Sequence, residues 1–222
     1  MAKCLILFTC YSKNLFKIND LYLIGTNSIR ILSELIKKVN RQPQLYLLAS
    51  GLFNQPTPAR IENLRSLLNE LLQTIPKNAP ELPILMALKP QLNYKEDLET
   101  EYSRLFILAF PNKPVQPFAS YWLESDQSLM GNSTLEIKKM MAEQGIEVAE
   151  NSGLLPDHIV SELEFLAYLA SQDDEKARQT QQQLLEQHCA RWMPQFIAEL
   201  KQANPILYYQ LAADFLINLT GF

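Results

Sequence analysis

The sequence predicts an all-α fold, a single helical domain of about nine to ten helices in two lobes joined by a proline-rich hinge loop. Only six of the 222 residues are glycine, whereas thirteen are proline. Little glycine with abundant Leu, Gln and Glu favours helices joined by proline-containing loops over a sandwich or barrel. Apolar residues recur at helical spacing along most of the chain, and strand-like alternation is limited to residues 5–8.

The composition excludes several classes of protein. The formal net charge of -4 argues against a nucleic-acid binder, although a basic peptide remains a possible partner. Cys4, Cys10 and Cys189 form no CxxC pair and no zinc-ligand spacing, which is typical of reduced thiols in a cytosolic protein. No apolar run approaches the roughly 20 residues of a membrane span.

Residues 1–40 are predicted to be an atypical N-terminal extension with one helix over residues 27–39. Lys3 precedes a short apolar run, which lies at the lower end of the roughly 7–15 residues of a signal-peptide core. No A-x-A-like cleavage site follows that run. We therefore expect an added segment rather than a signal peptide.

The first half of the remaining chain predicts four helices. Proline suits the first helical turn, so a helix is expected over residues 43–53. Thr57 and Pro58 supply a cap and a first position for a helix that extends to residue 75. Shorter helices are expected over residues 82–88 and 96–108. Prolines between Pro111 and Pro117 then break the pattern, which predicts a hinge near residues 109–125.

The second half predicts helices with recognisable starts. Ser133 and Glu136 match a capping box, which predicts a helix to residue 144 followed by a loop over residues 146–155. Pro156 is expected to start a helix that ends near residue 171. A polar helix then opens at residues 173–175, and Pro194 is expected to kink or divide it. A last helix follows residue 205.

Asp157, His158 and Glu162 form the group that most resembles a catalytic site. His158 and Glu162 lie four residues apart, so on a helix they would share a face and could bind a metal or exchange protons. Asp157 in the first turn would instead only stabilise the helix start, with His158 hydrogen-bonded nearby. A third interpretation makes Asp157 and His158 an exposed peptide-binding surface.

The aromatic residues beside the proline loop offer a second candidate site. Tyr121 and Trp122 are either ordinary core residues or the anchor of a binding surface, because Tyr and Trp are enriched at hot spots. Trp192 and His188 lack such a loop and are assigned to packing. No P-loop, GxGxxG, HExxH or GxSxG motif is present. The residues alone therefore favour a helical binding module over an enzyme.

Several segments, in both content and order, resemble the TorD/DmsD/NarJ family of redox-enzyme maturation chaperones. These segments are Glu-Tyr-Ser-Arg-Leu-Phe at 101–106, residues 117–121, Leu-Met-Gly-Asn-Ser-Thr at 129–134, Leu-Pro-Asp-His-Ile at 155–159 and residues 162–166. Residues 41–53 resemble the first helix of that family, so the resemblance covers residues 41–222. Leu155 departs from it, because Glu is common there, and this departure leaves the subgroup and its client open.

The resemblance implies a cytoplasmic, system-specific chaperone that is not an enzyme. Such a chaperone binds the twin-arginine signal peptide or the precursor of a molybdopterin-containing oxidoreductase, aids cofactor insertion and delays export. Its matched binding surface would comprise Tyr102, Leu105, Phe106, Pro117, Ser120, Tyr121, Trp122, Gly131, Asp157 and His158, with Glu162 at its rim. Recognition of a helical peptide in a groove needs an apolar trough with acidic rims. The trough would be lined by Tyr102, Leu105, Phe106, Tyr121 and Trp122, and the rims by Glu96, Asp97, Glu99, Glu101, Asp157 and Glu162.

No cofactor is expected, although GTP binding has been proposed within the resembled family. The expected partners exclude nucleic acid and stable membrane insertion, and the chain is expected to be a monomer or a domain-swapped dimer. Two alternatives stay open from the sequence. One is a nucleotide- or metal-dependent hydrolase that uses His158 and Glu162, and the other is an assembly subunit retained in the mature complex.

Overall fold

The computed structural model describes residues 3–5, 41–108, 113–149 and 152–222. Within these ranges the chain forms ten α-helices, one π-helical segment and two short strands. In chain order these are β1 (Lys3–Leu5), α1 (Gln42–Phe53), α2 (Pro58–Thr74), α3 (Leu82–Gln91), α4 (Lys95–Phe106), α5 (Ala119–Leu123), α6 (Asn132–Glu143), β2 (Ile146–Val148), α7 (Ile159–Ser171), α8 (Glu175–Gln183), the π segment (Leu184–Cys189), α9 (Ala190–Gln202) and α10 (Leu207–Thr220). The predicted all-α fold is confirmed. The predicted helix at residues 27–39 and part of the predicted hinge lie outside the described residues, and the division into two lobes stays a prediction.

Helices α1 and α7 pack side by side at the centre of the molecule. Both are apolar around most of their circumference, as expected for helices covered on all sides. A polar contact across their interface is the hydrogen bond of 3.3 Å from Ser50 Oγ to Glu164 Oε1. Burial raises the pKa of Glu164 to about 7, so this carboxyl group takes up a proton near neutral pH.

The remaining helices cover the central pair. Helices α2 and α10 pack on α1, and α3 packs on both α2 and α10. The Tyr208 hydroxyl at the start of α10 donates to the Leu52 carbonyl at 3.3 Å. Helix α8, the π segment and α9 follow α7 without a long loop, and α5 packs on α9. None of the helices in the described ranges is long and apolar enough to cross a membrane.

Local signals predicted several helix starts correctly. Thr57 caps α2 by accepting the Arg60 backbone N–H at 3.4 Å, and Pro43 lies in the first turn of α1. The expected capping box at Ser133 is wrong. Helix α6 begins at Asn132, and the carboxylate that holds Ser133 comes from Glu124 rather than from Glu136.

Three further expectations also need correction. Helix α7 begins at Ile159 and not at Pro156, because the residues between them bind another segment of the chain. Pro194 lies inside α9 and does not divide it, and regular α geometry is interrupted upstream in the π segment. Residues 146–148 form a strand rather than a loop, and β2 pairs in parallel with β1 in the register Lys3 to Ile146.

Candidate functional site

The short helix α5 is held in place by the residues that precede α7. A helix of five residues is too short to be stable alone, and α5 has no side-chain cap of its own. Phe118 and His158 form an antiparallel bridge, in which the Ala119 N–H donates to the Asp157 carbonyl at 2.9 Å. The Ile159 N–H donates to the Pro117 carbonyl at 2.8 Å. We call this arrangement of residues 117–120 and 157–159 the α5–α7 clamp.

Asp157 acts as a helix cap across the clamp. Its Oδ2 atom accepts the Ser120 backbone N–H at 3.0 Å, so it satisfies a donor at the start of α5. Asp157 and Ser120 are both fully buried. The interpretation of Asp157 as a first-turn residue of its own helix is therefore wrong, since it stabilises the start of a different helix.

His158 is the N-cap of α7. Its Nδ1 atom accepts the Val160 backbone N–H at 3.1 Å, which places the ring proton of the neutral form on Nε2. The ring packs edge-on against Phe118 with centroids 5.0 Å apart. Burial lowers the pKa of His158 from 6.5 to about 4, so the imidazole is neutral at physiological pH. The interpretation of Asp157 and His158 as exposed peptide-contact residues is wrong, because both are buried.

Glu162 pairs with His188 and not with His158. Its Oε1 atom lies 2.7 Å from His188 Nε2, and its Oε2 atom accepts the Trp192 indole N–H at 3.1 Å. The side chain is fully buried, so it cannot form an acidic rim. The prediction that His158 and Glu162 share a helix face is wrong, because His158 has an extended, non-helical backbone. Its ring turns to the start of α7.

The surroundings of the Glu162–His188 pair shift the pKa of both members. Burial raises the pKa of Glu162, and the nearby carboxylate outweighs the burial of His188 and raises the pKa of that imidazole. Cys189 Sγ also lies 3.5 Å from Glu162 Oε2. These contacts fix the π segment against α7. Because Glu162 pairs with His188, the hydrolase hypothesis loses the His158–Glu162 acid and base that it needs. The described residues also contain no group of three His, Cys, Asp or Glu suited to a metal ion.

The predicted aromatic trough consists of two separate pairs. Tyr102 and Phe106 contact each other on α4 with centroids 5.2 Å apart. Tyr121 and Trp122 contact each other on α5, also at 5.2 Å. No ring contact joins the two pairs among the described residues.

The two pairs also differ in their surroundings. Phe106 packs against Phe196 and Tyr209 of the core, whereas Tyr121 and Trp122 make no ring contact beyond their own pair in the described ranges. All four residues of the two pairs are half-buried. The Trp122 indole N–H donates to the Gln116 carbonyl at 2.9 Å, which fixes the ring at the edge of the proline-rich loop. Leu105 and Pro117, which were also predicted to line the site, are buried.

Gly131 leaves room for the Glu124 carboxylate, which caps α6. A Cβ atom on Gly131 would lie 2.5 Å from Glu124 Cδ. The Glu124 carboxylate occupies that space and accepts both the backbone N–H and the hydroxyl of Ser133 at 2.9 Å. Hydrogen bonds from Ser133 lower the pKa of Glu124. The sequence predicted Gly131 as a site residue but missed Glu124, which has no local capping pattern.

Glu101 and Arg104 join the start of α10 to α4. Arg104 Nε and Nη2 bind the two Glu101 carboxylate oxygens at 2.6 and 2.8 Å, and the guanidinium also reaches the Ala203 carbonyl at 3.2 Å. Glu101 Oε1 accepts the Ile206 N–H at 2.9 Å. Burial of Glu101 opposes ionisation, but the hydrogen bonds from Arg104 and Ile206 lower its pKa overall. We call these contacts the α4–α10 clasp.

Comparisons with known proteins agree on one family. Residues 57–198 match the sequence profile of the nitrate reductase delta subunit family. The chain is 34% identical over 104 residues to the Tat proofreading chaperone DmsD of Salmonella typhi, a match that covers 46% of this chain and 48% of that protein. The chain thus spans about half the length of the first curated relatives that it matches.

Two other similarities extend over more of the chain. The chaperone protein TorD of Vibrio parahaemolyticus is 24% identical over 194 residues, which are 80% of this chain and 90% of TorD. A crystal structure from Archaeoglobus fulgidus, described as a redox enzyme maturation protein, superposes with a TM-score of 0.56 at 21% identity. It covers 89% of this chain and 96% of its own, and at that identity it supports the fold alone.

Proposed function

Because the chain belongs to the nitrate reductase delta subunit family, we propose that it is a chaperone for the maturation of a redox enzyme. This membership confirms the resemblance to TorD, DmsD and NarJ and the prediction that the chain is not an enzyme. The names of its relatives, a Tat proofreading chaperone and a chaperone protein, support the maturation role.

The client in this proposal is the precursor of a molybdopterin-containing oxidoreductase, bound through its twin-arginine signal peptide or another segment before export. The chaperone would act in the cytoplasm, aid cofactor insertion and delay export. Residues 41–222 contain 14 Lys and Arg against 22 Asp and Glu, so the body of the chain is acidic. An acidic surface helps to orient a basic peptide as it approaches and raises its association rate.

The observation that carries the proposal is the α5–α7 clamp, which presents two adjacent aromatic rings at the protein surface. Tyr121 and Trp122 lie on a helix whose start is held by groups from outside it. Rigid, half-exposed aromatic rings bind partners with little loss of conformational entropy. The buried Ser120, Asp157 and His158 contribute by positioning these rings, and not by touching the client.

The test is binding of candidate precursors encoded in the same genome. The full-length chain is expected to bind a molybdoenzyme precursor that lacks its cofactor and to leave after cofactor insertion, as followed by size-exclusion chromatography. Tyr121→Ala is expected to weaken binding about tenfold or more, in the range of hot-spot aromatic residues. Higher salt should weaken binding only in part, since the apolar contribution persists.

Matched controls make this test specific. Met86→Ala removes a more exposed apolar side chain on α3 and should leave affinity unchanged. Trp122→Phe keeps a ring but removes the indole N–H, so it separates loss of contact from loss of the hydrogen bond to Gln116. Failure to bind any such precursor would overturn the proposal. Retention of the chain in the loaded enzyme would instead identify an assembly subunit.

A further inference from the structure

A polar surface cavity lies between α6 and the stretch of chain that runs from α8 through the π segment to the start of α9. It has a volume of about 440 Å³, and no residue of the α5–α7 clamp lines it. Ligand pockets have volumes of roughly 300–1,000 Å³, so a small molecule fits. Charged or titratable side chains line both sides, with Glu136, Lys139 and Glu143 on α6, and His188 and Arg191 on the other.

His188 contributes a buried polar atom to this cavity. One nitrogen of its ring, Nε2, faces Glu162 of α7 at 2.7 Å. The other nitrogen, Nδ1, is buried and has no hydrogen-bond partner among the described residues. Only 5% of the side chain is exposed, and a buried polar atom without a partner is unfavourable. Nδ1 is therefore the atom through which His188 can bind a ligand in the cavity.

The contact with Glu162 also fixes how His188 presents Nδ1. In the tautomer that donates from Nε2 to the Glu162 carboxylate, Nδ1 carries a lone pair and accepts a hydrogen bond. The Trp192 indole N–H donates to the other Glu162 oxygen at 3.1 Å, so the carboxylate is held in turn. Nδ1 therefore requires a donor, and an ammonium group is one.

Glu136 and Arg191 leave one charge of each sign unpaired at the cavity. The two other charges of its lining, Lys139 and Glu143, pair with each other at 3.9 Å. Neither Glu136 nor Arg191 forms an ion pair within the described ranges. The acid and the base thus line one cavity without contacting each other, which leaves space for a ligand between them.

Both unpaired charges lie close enough to His188 to act on its ring. Burial opposes the raised pKa of the imidazole, and Glu162 drives it. Glu136 raises that pKa further, whereas Arg191 lowers it. A ligand bound at Nδ1 therefore lies within reach of an acid and a base.

The two sides of the cavity are joined before any ligand binds. Gln144, directly after α6, donates from Nε2 to Thr180 Oγ1 of α8 at 2.7 Å. The Tyr168 hydroxyl of α7 donates to the Gln144 carbonyl at 3.4 Å. A preformed site loses little conformational freedom on binding. The amides of Gln183 and Gln187 also line the cavity, and an amide can both donate and accept hydrogen bonds.

We infer that this cavity binds a small zwitterion, namely a free amino acid with a polar side chain. The ammonium group of the ligand donates to His188 Nδ1 and to the Glu136 carboxylate. Its carboxylate binds the Arg191 guanidinium, and its polar side chain contacts the amides of Gln183 and Gln187. A ligand with only one of the two charges would leave either Glu136 or Arg191 without a partner. This site goes beyond the proposed function and does not depend on it.

The probe is L-glutamine, titrated into the full-length chain near neutral pH and followed by isothermal titration calorimetry. A dissociation constant of about 0.1–1 mM is expected for a small polar ligand. N-acetyl-L-glutamine lacks the ammonium group and L-glutamine amide lacks the carboxylate, so each should bind about tenfold more weakly. An analogue that binds as tightly as L-glutamine overturns the inference, because one charge would then suffice.

Two substitutions assign each charge of the ligand to its residue. Glu136→Gln and Arg191→Gln change exposed side chains and should each weaken the binding of L-glutamine about tenfold. Arg191→Gln should bind L-glutamine no better than L-glutamine amide, since the partner of the carboxylate is gone. Glu136→Gln should likewise bind L-glutamine no better than N-acetyl-L-glutamine. Wild-type affinity in both variants overturns the inference.

Controls match each substitution in kind. Lys138→Gln removes a positive charge on α6, and Glu186→Gln removes a negative charge on the π segment. Both residues are exposed, and neither lines the cavity. Both variants should bind L-glutamine as the wild type does. Thermal unfolding of every variant separates lost binding from lost folding.

The two histidines of the chain supply an internal control for the role of His188. In a chain whose histidines are labelled with nitrogen-15, L-glutamine should shift the NMR signal of His188 Nδ1. The signals of His158, whose Nδ1 already accepts the Val160 N–H, should not move. Arg191→Gln should need about tenfold more L-glutamine for the same shift. The inference is overturned if L-glutamine at about 10 mM shifts neither histidine or shifts both equally.

Discussion

Two carboxylates in this chain each hold the start of a distant helix, but within the described part of the chain only one of them, Glu101, has a cation beside it. Asp157 accepts the Ser120 N–H at the start of α5, and Glu101 accepts the Ile206 N–H at the start of α10. Glu101 is also bound by the guanidinium of Arg104. Asp157 is fully buried, and its Oδ1 atom has no hydrogen-bond partner among the described residues.

This difference indicates how each region responds to change. The α5–α7 clamp is a buried polar arrangement in which each group has few partners, so the loss of one leaves another unsatisfied. The α4–α10 clasp has several redundant bonds and is open to water on the Arg104 side, whose side chain is 39% exposed. We therefore expect the clamp to be sensitive to substitution and the clasp to be tolerant.

The largest effect is expected from Asp157→Ala. The substitution leaves the buried Ser120 N–H without an acceptor, which costs about 1–3 kcal/mol. Asp157→Asn keeps an oxygen acceptor and should lose less than half as much. Urea unfolding measures both values, with the fully exposed Asp173→Ala as a control that changes stability by at most about 0.5 kcal/mol. Equal stability of Asp157→Ala and the wild type would show that the clamp does not hold α5.

Measuring the free energy of unfolding as a function of pH should reveal the neutral, buried His158 of the clamp. Its pKa is lowered from 6.5 to about 4, so between these values the unfolded chain binds more protons and stability falls as the pH is lowered. The contribution is fully present above pH 6.5 and amounts to roughly 3 kcal/mol. His158→Asn retains a good N-cap without a titrating group and should lack this loss.

The pH experiment compares the variant with the wild type at each pH, because Glu164 acts in the opposite direction. Its pKa is raised to about 7, so it contributes stability that is present below pH 4.5 and lost as the pH rises through 7. The difference between His158→Asn and the wild type removes that contribution. A difference that stays constant between pH 7 and pH 4 would contradict a neutral, buried His158.

A smaller loss is expected from Glu101→Ala in the clasp. Removing the carboxylate leaves the Ile206 N–H and Arg104 without their partner, but Arg104 is partly exposed and can bind water. The expected loss is about 1–2 kcal/mol, and it should shrink at 0.5 M NaCl because the pair is screened. Glu143→Ala, in an exposed pair with Lys139, is the control with little effect. A loss larger than that of Asp157→Ala would reverse the ranking of the two regions.

The fold was largely predictable because most helices begin with signals that act locally. Thr57 and Pro58 at α2, and the proline in the first turn of α1, place those starts within about one residue. Helix α7 was misplaced by three residues because Pro156 does not start a helix there. The residues from 157 to 159 instead bind back to α5, and a tertiary contact overrode the local preference.

The site was less predictable, because its pairings join residues that lie far apart in sequence. Glu162 and His188 are separated by 26 positions, and no local pattern pairs them. The π segment rearranges the backbone that carries His188, and such a segment has no sequence signature that periodicity could detect. Periodicity could place Glu162 on a helix, but it could not show that the helix face was covered.

The smallest loss of stability is expected from a substitution of Gly131. This residue lies beside a third carboxylate cap, in which Glu124 holds the start of α6. Gly131→Ala introduces a Cβ atom where Glu124 Cδ lies 2.5 Å away, so the flexible carboxylate must move from Ser133. Gly131 itself has an extended backbone with a negative φ, so the substitution acts by displacement and not by backbone strain. We expect a loss of stability below that of Glu101→Ala.

A double-mutant cycle decides whether the displacement acts through the cap. If Gly131→Ala only removes the contact between Glu124 and Ser133, then Gly131→Ala combined with Glu124→Ala should be no less stable than Glu124→Ala alone, as measured by urea unfolding. Additive losses would mean that Gly131 has a further role, which fits a surface where client contact requires the absence of a side chain. In that case Gly131→Ala, tested for precursor binding beside Glu124→Ala, should weaken binding where the cap variant does not.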